Sequence, residues 1–349
     1  MPEPSLTDRL ARLIAASGPI PVSVFMAEAN AHYYATRDPF GAAGDFTTAP
    51  EISQMFGELI GLALADVWAR VGRPEGVRYV ELGPGRGTLA ADALRAMRAA
   101  GLEPGVHFVE TSPVLRAAQA KRVAGAQWHD DLGSIPEAGP ILAVANEFFD
   151  ALPVRQLVAT GSGWHERLVT LDGDRFVPAA GPPVPAAAIP DHIRAAPAGT
   201  VLEASPSSLA YARLLARRMV VQGGAALIVD YGHDRLSAGE TLQAVRRHGF
   251  AEPWMEPGEA DLTAHVDFES LGRAFAEAGA RVLGPVAQGE WLARLGIDAR
   301  AAALARSAPR RSSEIEAAME RLVSPGQMGR LFRVMGLSAP AWPAPEGFS

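Results

Sequence analysis

The segment Glu81-Leu82-Gly83-Pro84-Gly85-Arg86-Gly87-Thr88 has residue types and a spacing suited to holding a polar ligand. It follows an apolar run, Val77–Leu82, and opens a helix-like pattern at Thr88. Glycines let the backbone turn sharply and approach a ligand with no Cβ in the way. The helix start adds unpaired N–H donors. A dinucleotide site prefers G-x-G-x-x-G, with pyrophosphate at the helix N-terminus. Here the third glycine comes one residue early, and Thr88 stands where that pattern needs glycine. Glu81 precedes the turn, and a pyrophosphate gains nothing from a carboxylate. S-adenosylmethionine carries an ammonium and a sulfonium, and both are attracted by one. The motif therefore favours the methyl donor over NAD. A tight turn with no ligand is the plainer alternative, and the conformational entropy of three glycines argues against it.

More acids stand at the ends of later apolar runs. Glu110, followed by Thr111, is placed to accept both hydroxyls of a ribose. Asp130, Asp131 and Leu132 follow the next run, where an Asp can meet an adenine amino group or cap a helix. Asn146-Glu147-Phe148-Phe149-Asp150 follows Ile141–Ala145. Methyl transfer from a sulfonium is an in-line displacement, so the protein chiefly aligns the nucleophile and excludes water. A guanidinium acceptor needs carboxylates that orient its planar fork and take the released proton. Glu147 is the first candidate for that acid, with Asp150 either orienting the guanidinium or capping the next segment. Phe148 is a candidate wall for adenine or methyl. Asp230 and Tyr231, in Asp230-Tyr231-Gly232-His233, are second-rank candidates, set against buried strand-end groups satisfied by backbone. Asp261, His265 and Asp267 lie close together in sequence. The displacement needs no metal and no second His sits at helical spacing, so no metal is expected and a gating or substrate-groove role is preferred. His32-Tyr33-Tyr34 and the loop Gly41–Glu51 are expected to fold over the cofactor as a lid, with core packing of the tyrosines as the alternative.

These residues need elements to position them. Short apolar runs at Val77–Leu82, His107–Glu110, Gln127–His129, Pro140–Ala145, Ala225–Asp230 and Arg281–Pro285 alternate with helical patterns at Thr88–Ala100, Val114–Val123, Ser207–Val221 and Phe268–Ala278. That alternation predicts a parallel sheet covered on both faces. Residues 6–17 and 52–71 also read as helices, the second with Met55, Leu59, Leu62 and Val67 near one stripe. Residues 31–50 read as a loop, 154–178 as antiparallel strands, 178–199 as a Pro/Ala/Gly-rich linker and 232–266 as a long insertion.

Bulk composition sets limits. The 349 residues carry a formal net charge of −7, with 48% hydrophobic and 20% charged side chains. A core is within reach, and an acidic chain has no bulk attraction for nucleic acid or anionic membrane. The absence of cysteine removes disulfides, thiolate nucleophiles and Cys-ligated zinc. No apolar run approaches a bilayer span, and the start reads as neither a secretory signal nor a transit peptide. A cytoplasmic protein is expected.

The motifs resemble one family along nearly the whole chain, in order. Gly44-Asp45-Phe46-Thr47-Thr48-Ala49-Pro50-Glu51-Ile52-Ser53, Glu81–Leu89, Asn146–Val154, Asp230–His233, Asp261–Phe268 and Met328-Gly329 are similar to segments of the MidA-like methyltransferases. The resemblance implies a doubly wound, mostly parallel, seven-stranded Rossmann-like sheet binding S-adenosylmethionine, with an N-terminal helical extension and an inserted substrate region. It implies a lid at 1–72, a core at 73–153 and 200–349, and an inserted region at 154–199. The cofactor set is then Glu81, Gly83, Gly85, Gly87, Glu110, Thr111, Asp130, Asp131, Leu132, Asn146 and Thr48, and the catalytic set Glu147, Asp150 and Asp230. Mitochondrial members resemble complex I assembly factors that symmetrically dimethylate a protein arginine, so the expected partner is an arginine-containing protein, with an oligomer left open. The alternatives are a methyltransferase-fold binding protein with little catalysis and a small-molecule methyltransferase.

Overall fold

Strand Ile141–Asn146 is buried at every position, as a strand must be when helices cover both faces of its sheet. The computed structural model describes residues 4–36, 47–246 and 249–348. Seven segments build the main sheet around that strand: β1 (Arg78–Leu82), β2 (Gly105–Val109), β3 (Gln127–His129), β4 (Ile141–Asn146), β5 (Gly224–His233), β6 (Arg281–Ala287) and β7 (Phe332–Ser338). Their order is β6-β7-β5-β4-β1-β2-β3, with Val266-Asp267 added in parallel to the end of β5 as an eighth strand. Only β7 runs against its neighbours β5 and β6. The chain order reverses between β1 and β4, so the crevice at their carboxyl ends is where an open sheet binds ligands.

Side-chain alternation divides the core. Tyr79, Leu142 and Leu227 face the helices Gln54–Arg70 and Thr88–Ala99, packing with Phe56, Ile60 and Leu64. Val80, Ala143 and Ile228 face the helices Pro206–Gln222 and Phe268–Glu277, packing with Leu215, Met219, Leu271 and Phe275. Full burial of such side chains contributes about 1.5–3 kcal/mol each. The helix Gln54–Arg70, grouped with the lid from sequence, is thus part of the sheet's own cover. Leu62, placed on its apolar stripe, is 44% exposed.

Two smaller sheets carry the insertions. Arg155–Thr160, Gly163–Asp172, Arg175–Pro183 and Val201–Ala204 form an antiparallel sheet that Ile20-Pro21 joins. The supposed linker therefore begins as strand through Pro183. Gln243–Arg246, Gly249–Ala251 and Asp261–Thr263 form a three-stranded sheet. The N-terminal helices Leu6–Ser17 and Val22–Thr36 bury Leu10, Phe25 and Met26 against Val169, Phe176 and Leu262 from both insertions. One core thus holds the N-terminal segment to both insertions. A capping box of Ser5 and Asp8 starts the first helix. The second runs through Thr36, so His32-Tyr33-Tyr34 is helical and not loop. The Gly41–Phe46 part of the expected lid lies outside the described residues. Helices Gln288–Arg294, Ile297–Ser307, Ser312–Val323 and Met328–Leu331 fill the stretch between β6 and β7.

Candidate active site

β1 delivers Glu81 to the crevice and the glycine turn follows it. Gly83, Gly85 and Gly87 have φ of 60°, 54° and 76°, a region costly for residues with a Cβ. A Cβ at Gly83 would lie 3.0 Å from Phe148 Cδ2. Glu81 is 2% exposed and accepts a 2.5 Å hydrogen bond from the Tyr79 phenol. Burial pushes its carboxyl up to about 8, against the pull of that hydrogen bond. At the end of β2, Glu110 accepts from Ser112 N at 2.8 Å and from Gln119 Nε2 at 3.2 Å, leaving lone pairs on both oxygens for a diol. The same Gln119 amide donates to Gly85 O at 2.7 Å, and Trp128 Nε1 donates to Gln119 Oε1 at 2.7 Å. Gln119 thereby ties the glycine turn to the β2 acid. A glutamine on a helix carries no local signal, so sequence alone does not single it out.

After β4 the chain turns abruptly. Glu147 sits at φ 50°, in the left-handed region, and its Oε1 accepts from Asn146 Nδ2 at 3.2 Å and Ala49 N at 3.4 Å. Burial first, then the neighbouring Asp150 charge, pushes its carboxyl up to about 8. Asp230 does not line the crevice. It is fully buried, and its Oδ2 accepts from the backbone N–H groups of Phe148, Phe149 and Asp150 at 3.2, 3.0 and 3.3 Å. Its assignment among the catalytic residues is corrected on that geometry: it positions the loop that carries Glu147 and Asp150. Asp150 reaches the crevice with its carboxyl at about 6, raised by burial and drawn down by the Tyr231 phenol.

Two cavities meet here. One, of about 490 Å³, is walled by Glu110, Thr111, Ser112, Asp130, Phe148 and Tyr211. The other, of about 420 Å³, is walled by Thr48, Glu51, Glu81, Asn146, Asp150, Tyr231, Asp261 and His265, among others. Tyr34, Gly83, Gly85 and Glu147 line both. In the second cavity the Tyr34 phenol hydrogen-bonds Asp261, and the Tyr231 phenol hydrogen-bonds Asp150. Three expected cofactor residues line neither cavity. Gly87 caps the helix Thr88–Ala99, Asp131 caps the short turn Leu132–Ser134, and Leu132 is buried in the core. Asp130 borders the first cavity beside Arg116, whose Nη2 lies 2.6 Å from its Oδ1. Asp267, grouped with Asp261 and His265 from sequence, instead caps the helix Phe268–Glu277. Among the described residues no group of three or more His, Asp or Glu side chains is arranged to hold a metal.

The N-terminal helix closes the site through two contacts. Asn30 accepts from Leu262 N at 3.0 Å and donates to Leu262 O at 2.8 Å and Ala151 O at 3.1 Å. Ser112 Oγ donates to Tyr34 O at 2.6 Å. Tyr33 packs in the core, whereas Tyr34 faces the cavities.

An acid beneath a glycine turn, at the point where a parallel sheet reverses its order, places this fold among the α/β methyltransferases. The chain belongs to the family described as "Putative S-adenosyl-L-methionine-dependent methyltransferase", whose model matches residues 59–286. S-adenosylmethionine is its cofactor. Among its relatives, the Drosophila melanogaster "Protein arginine methyltransferase NDUFAF7 homolog, mitochondrial" is 38% identical over 95% of this chain and 84% of its own length. The Homo sapiens "Protein arginine methyltransferase NDUFAF7, mitochondrial" is 35% identical over 93% of this chain and 81% of its own. A Burkholderia thailandensis structure with bound S-adenosyl-homocysteine superposes with a TM-score of 0.87 at 30% identity, covering 99% of this chain and 94% of that one.

The residues present fit that cofactor. Glu110 keeps lone pairs for a ribose diol, and the buried Asn146 Oδ1 has no hydrogen-bond partner among the described residues, an acceptor that suits a cationic or hydrogen-donating ligand. No helix among the described residues is long and apolar enough to cross a membrane.

Proposed function

We propose that this protein methylates an arginine guanidinium on a protein, with symmetric dimethylation and a respiratory complex I subunit as the specific form. The observation that carries this reading is the second cavity, which begins at Glu81 and the glycine turn on the cofactor's side and continues past further acids. Glu147, Asp150 and Asp261 converge on it with two phenols, Tyr34 and Tyr231. A guanidinium offers five donors and a fixed positive charge, and this wall offers acceptors and negative charge. The names of the relatives support the same acceptor.

In this reading Glu110 holds the ribose hydroxyls, Phe148 walls the adenosine, and Glu81 faces the ammonium. When bound, the cofactor supplies an electrophilic methyl on sulfur. Glu147, shared by both cavities, orients the guanidinium at the junction. Carboxyls raised by burial are better bases than exposed ones, so Glu147 or Asp150 takes the proton released as the new N–C bond forms. Tyr34 and the glycine turn exclude water there. The cytoplasm is the compartment we propose, although the named relatives are mitochondrial proteins.

The test is calorimetric titration with S-adenosylmethionine, with NAD as control, followed by transfer of labelled methyl to arginine-containing proteins and mass spectrometry of the product. Micromolar binding with mono- and dimethylarginine formed supports the reading. Binding without transfer to any arginine favours a binding protein or a small-molecule enzyme.

A further inference from the structure

The acceptor cavity opens between two apolar side chains that stand exposed among the described residues. Phe250 is 84% exposed and Leu331 is 49% exposed, and both line the mouth of this cavity. They come from different parts of the fold, the three-stranded sheet at 243–263 and the helix Met328–Leu331 that precedes β7. An aromatic ring left in water at the lip of an acid-lined pocket is unexpected for an enzyme taking a free, polar small molecule. Gly249–Ala251 is also an edge strand among the described residues, paired only with Gln243–Arg246. Its outer backbone groups are available to an extended chain. A surface trough of about 620 Å³ adjoins the cavity, sharing Pro50, Glu51 and Thr88 with it and running past Arg122 and Arg311.

We propose that this mouth is a docking groove for an extended polypeptide: an apolar side chain adjacent to the acceptor arginine covers Phe250 and Leu331, and the chain continues into the trough beside Glu51. The inference rests on the arginine reading above and adds the form of the substrate, a segment selected for an apolar neighbour. Charge complementarity fixes the arginine in the cavity, and apolar contact at the lip fixes which arginine. The trough accommodates polar residues on the far side, since its wall carries both signs of charge.

The experiment uses the full chain with labelled S-adenosylmethionine and short synthetic peptides. Each has one central arginine, with either leucine or aspartate at each adjacent position. The expected result is a preference of roughly tenfold in kcat/KM for leucine at one adjacent position, in line with the weight of a buried aromatic contact. Phe250→Ser with Leu331→Ser should erase that preference while leaving S-adenosylmethionine affinity unchanged, since both side chains stand at the lip. Equal use of both peptides, or a preference that survives the double substitution, overturns the groove and leaves the arginine reading standing. So does a dimer in sedimentation that Phe250→Ser dissociates, because a second copy would then be the occupant. Transfer to no arginine, in the peptides or in the host's protein extract, removes the arginine reading and the groove with it.

Discussion

The cofactor cavity takes most of its wall from the ends of β1, β2 and β4 and the turns that follow them, each a contiguous motif. The acceptor cavity shares Glu81's glycine turn with it and adds the Thr48–Glu51 segment, Asp150, Tyr231 at the end of β5 and the small sheet at 243–263. The small sheet is held in place from afar: Asn30, on the helix that borders the cofactor cavity, hydrogen-bonds Leu262 across 232 residues of sequence. Where chemistry is held by a strand and its next turn, local sequence specifies it. Where it is held by segments meeting from afar, only tertiary packing does. The cofactor side is thus expected to fail through single backbone positions, and the acceptor side through its supports.

The sharpest break is Gly85→Val. Gly85 lines both cavities at φ 54°, and a β-branched side chain there adds bulk and backbone strain together. S-adenosylmethionine affinity should fall more than about 100-fold in a protein that still folds, as read by calorimetry and circular dichroism. Unchanged affinity would mean that the turn does not contact the cofactor. Next is Glu147→Gln, expected to lower kcat by roughly 10²–10³ while cofactor affinity moves only a few-fold. In the parent protein kcat/KM should rise with pH across about 6 to 8, as Asp150 and Glu147 lose their protons. If the limb instead persists in Glu147→Gln with its midpoint unmoved, another group is the base.

Asp230→Ala tests the support. It removes the side-chain acceptor of four backbone N–H groups, those of Phe148, Phe149, Asp150 and Tyr231, at a cost of about 1–3 kcal/mol for each buried group left unpaired. Thermal stability and turnover should fall together, and Asp230→Asn, which retains an acceptor oxygen, should recover part of both. Loss of turnover with no loss of stability would return Asp230 to a direct role. The smallest effect is on the unliganded protein's melting temperature. Glu81 and Glu147 keep their protons in the folded chain to about 8, against an ordinary value near 4.5. The folded state therefore gains from binding those protons. The gain is fully present below about 4.5 and lost as pH rises through about 8. Melting temperature should decline from pH 6 to pH 9, and saturating S-adenosylmethionine should flatten the decline. A flat profile without cofactor would show the two carboxyls already ionised.

Legibility followed the same division. The runs Val77–Leu82 and Ile141–Ala145, the glycine turn and the acids Glu81, Glu110 and Glu147 were visible because strand, turn and acid are neighbours in sequence. β7 gave no such sign: Phe332–Ser338 follows four helices and has no glycine turn or acid at its end. Tyr34 was indistinguishable from Tyr33 on a helix carrying both, since only packing decides which ring enters the core. Asp230 ends an apolar strand as Glu81 does, and nothing local reveals that its carboxylate turns toward a neighbouring loop's backbone. Asp131 and Leu132 likewise belonged to a cap and to the core, the ordinary fates of an Asp and a Leu after a strand.

The left-handed backbone at Glu147 has a consequence for how such a protein evolves. A glycine at this position would relieve about 1–2 kcal/mol of conformational cost and remove a buried acid as well. A population screened only for heat resistance should therefore drift toward glycine at 147 and emerge as a sturdier, inactive chain. Only selection for turnover would hold glutamate in that place.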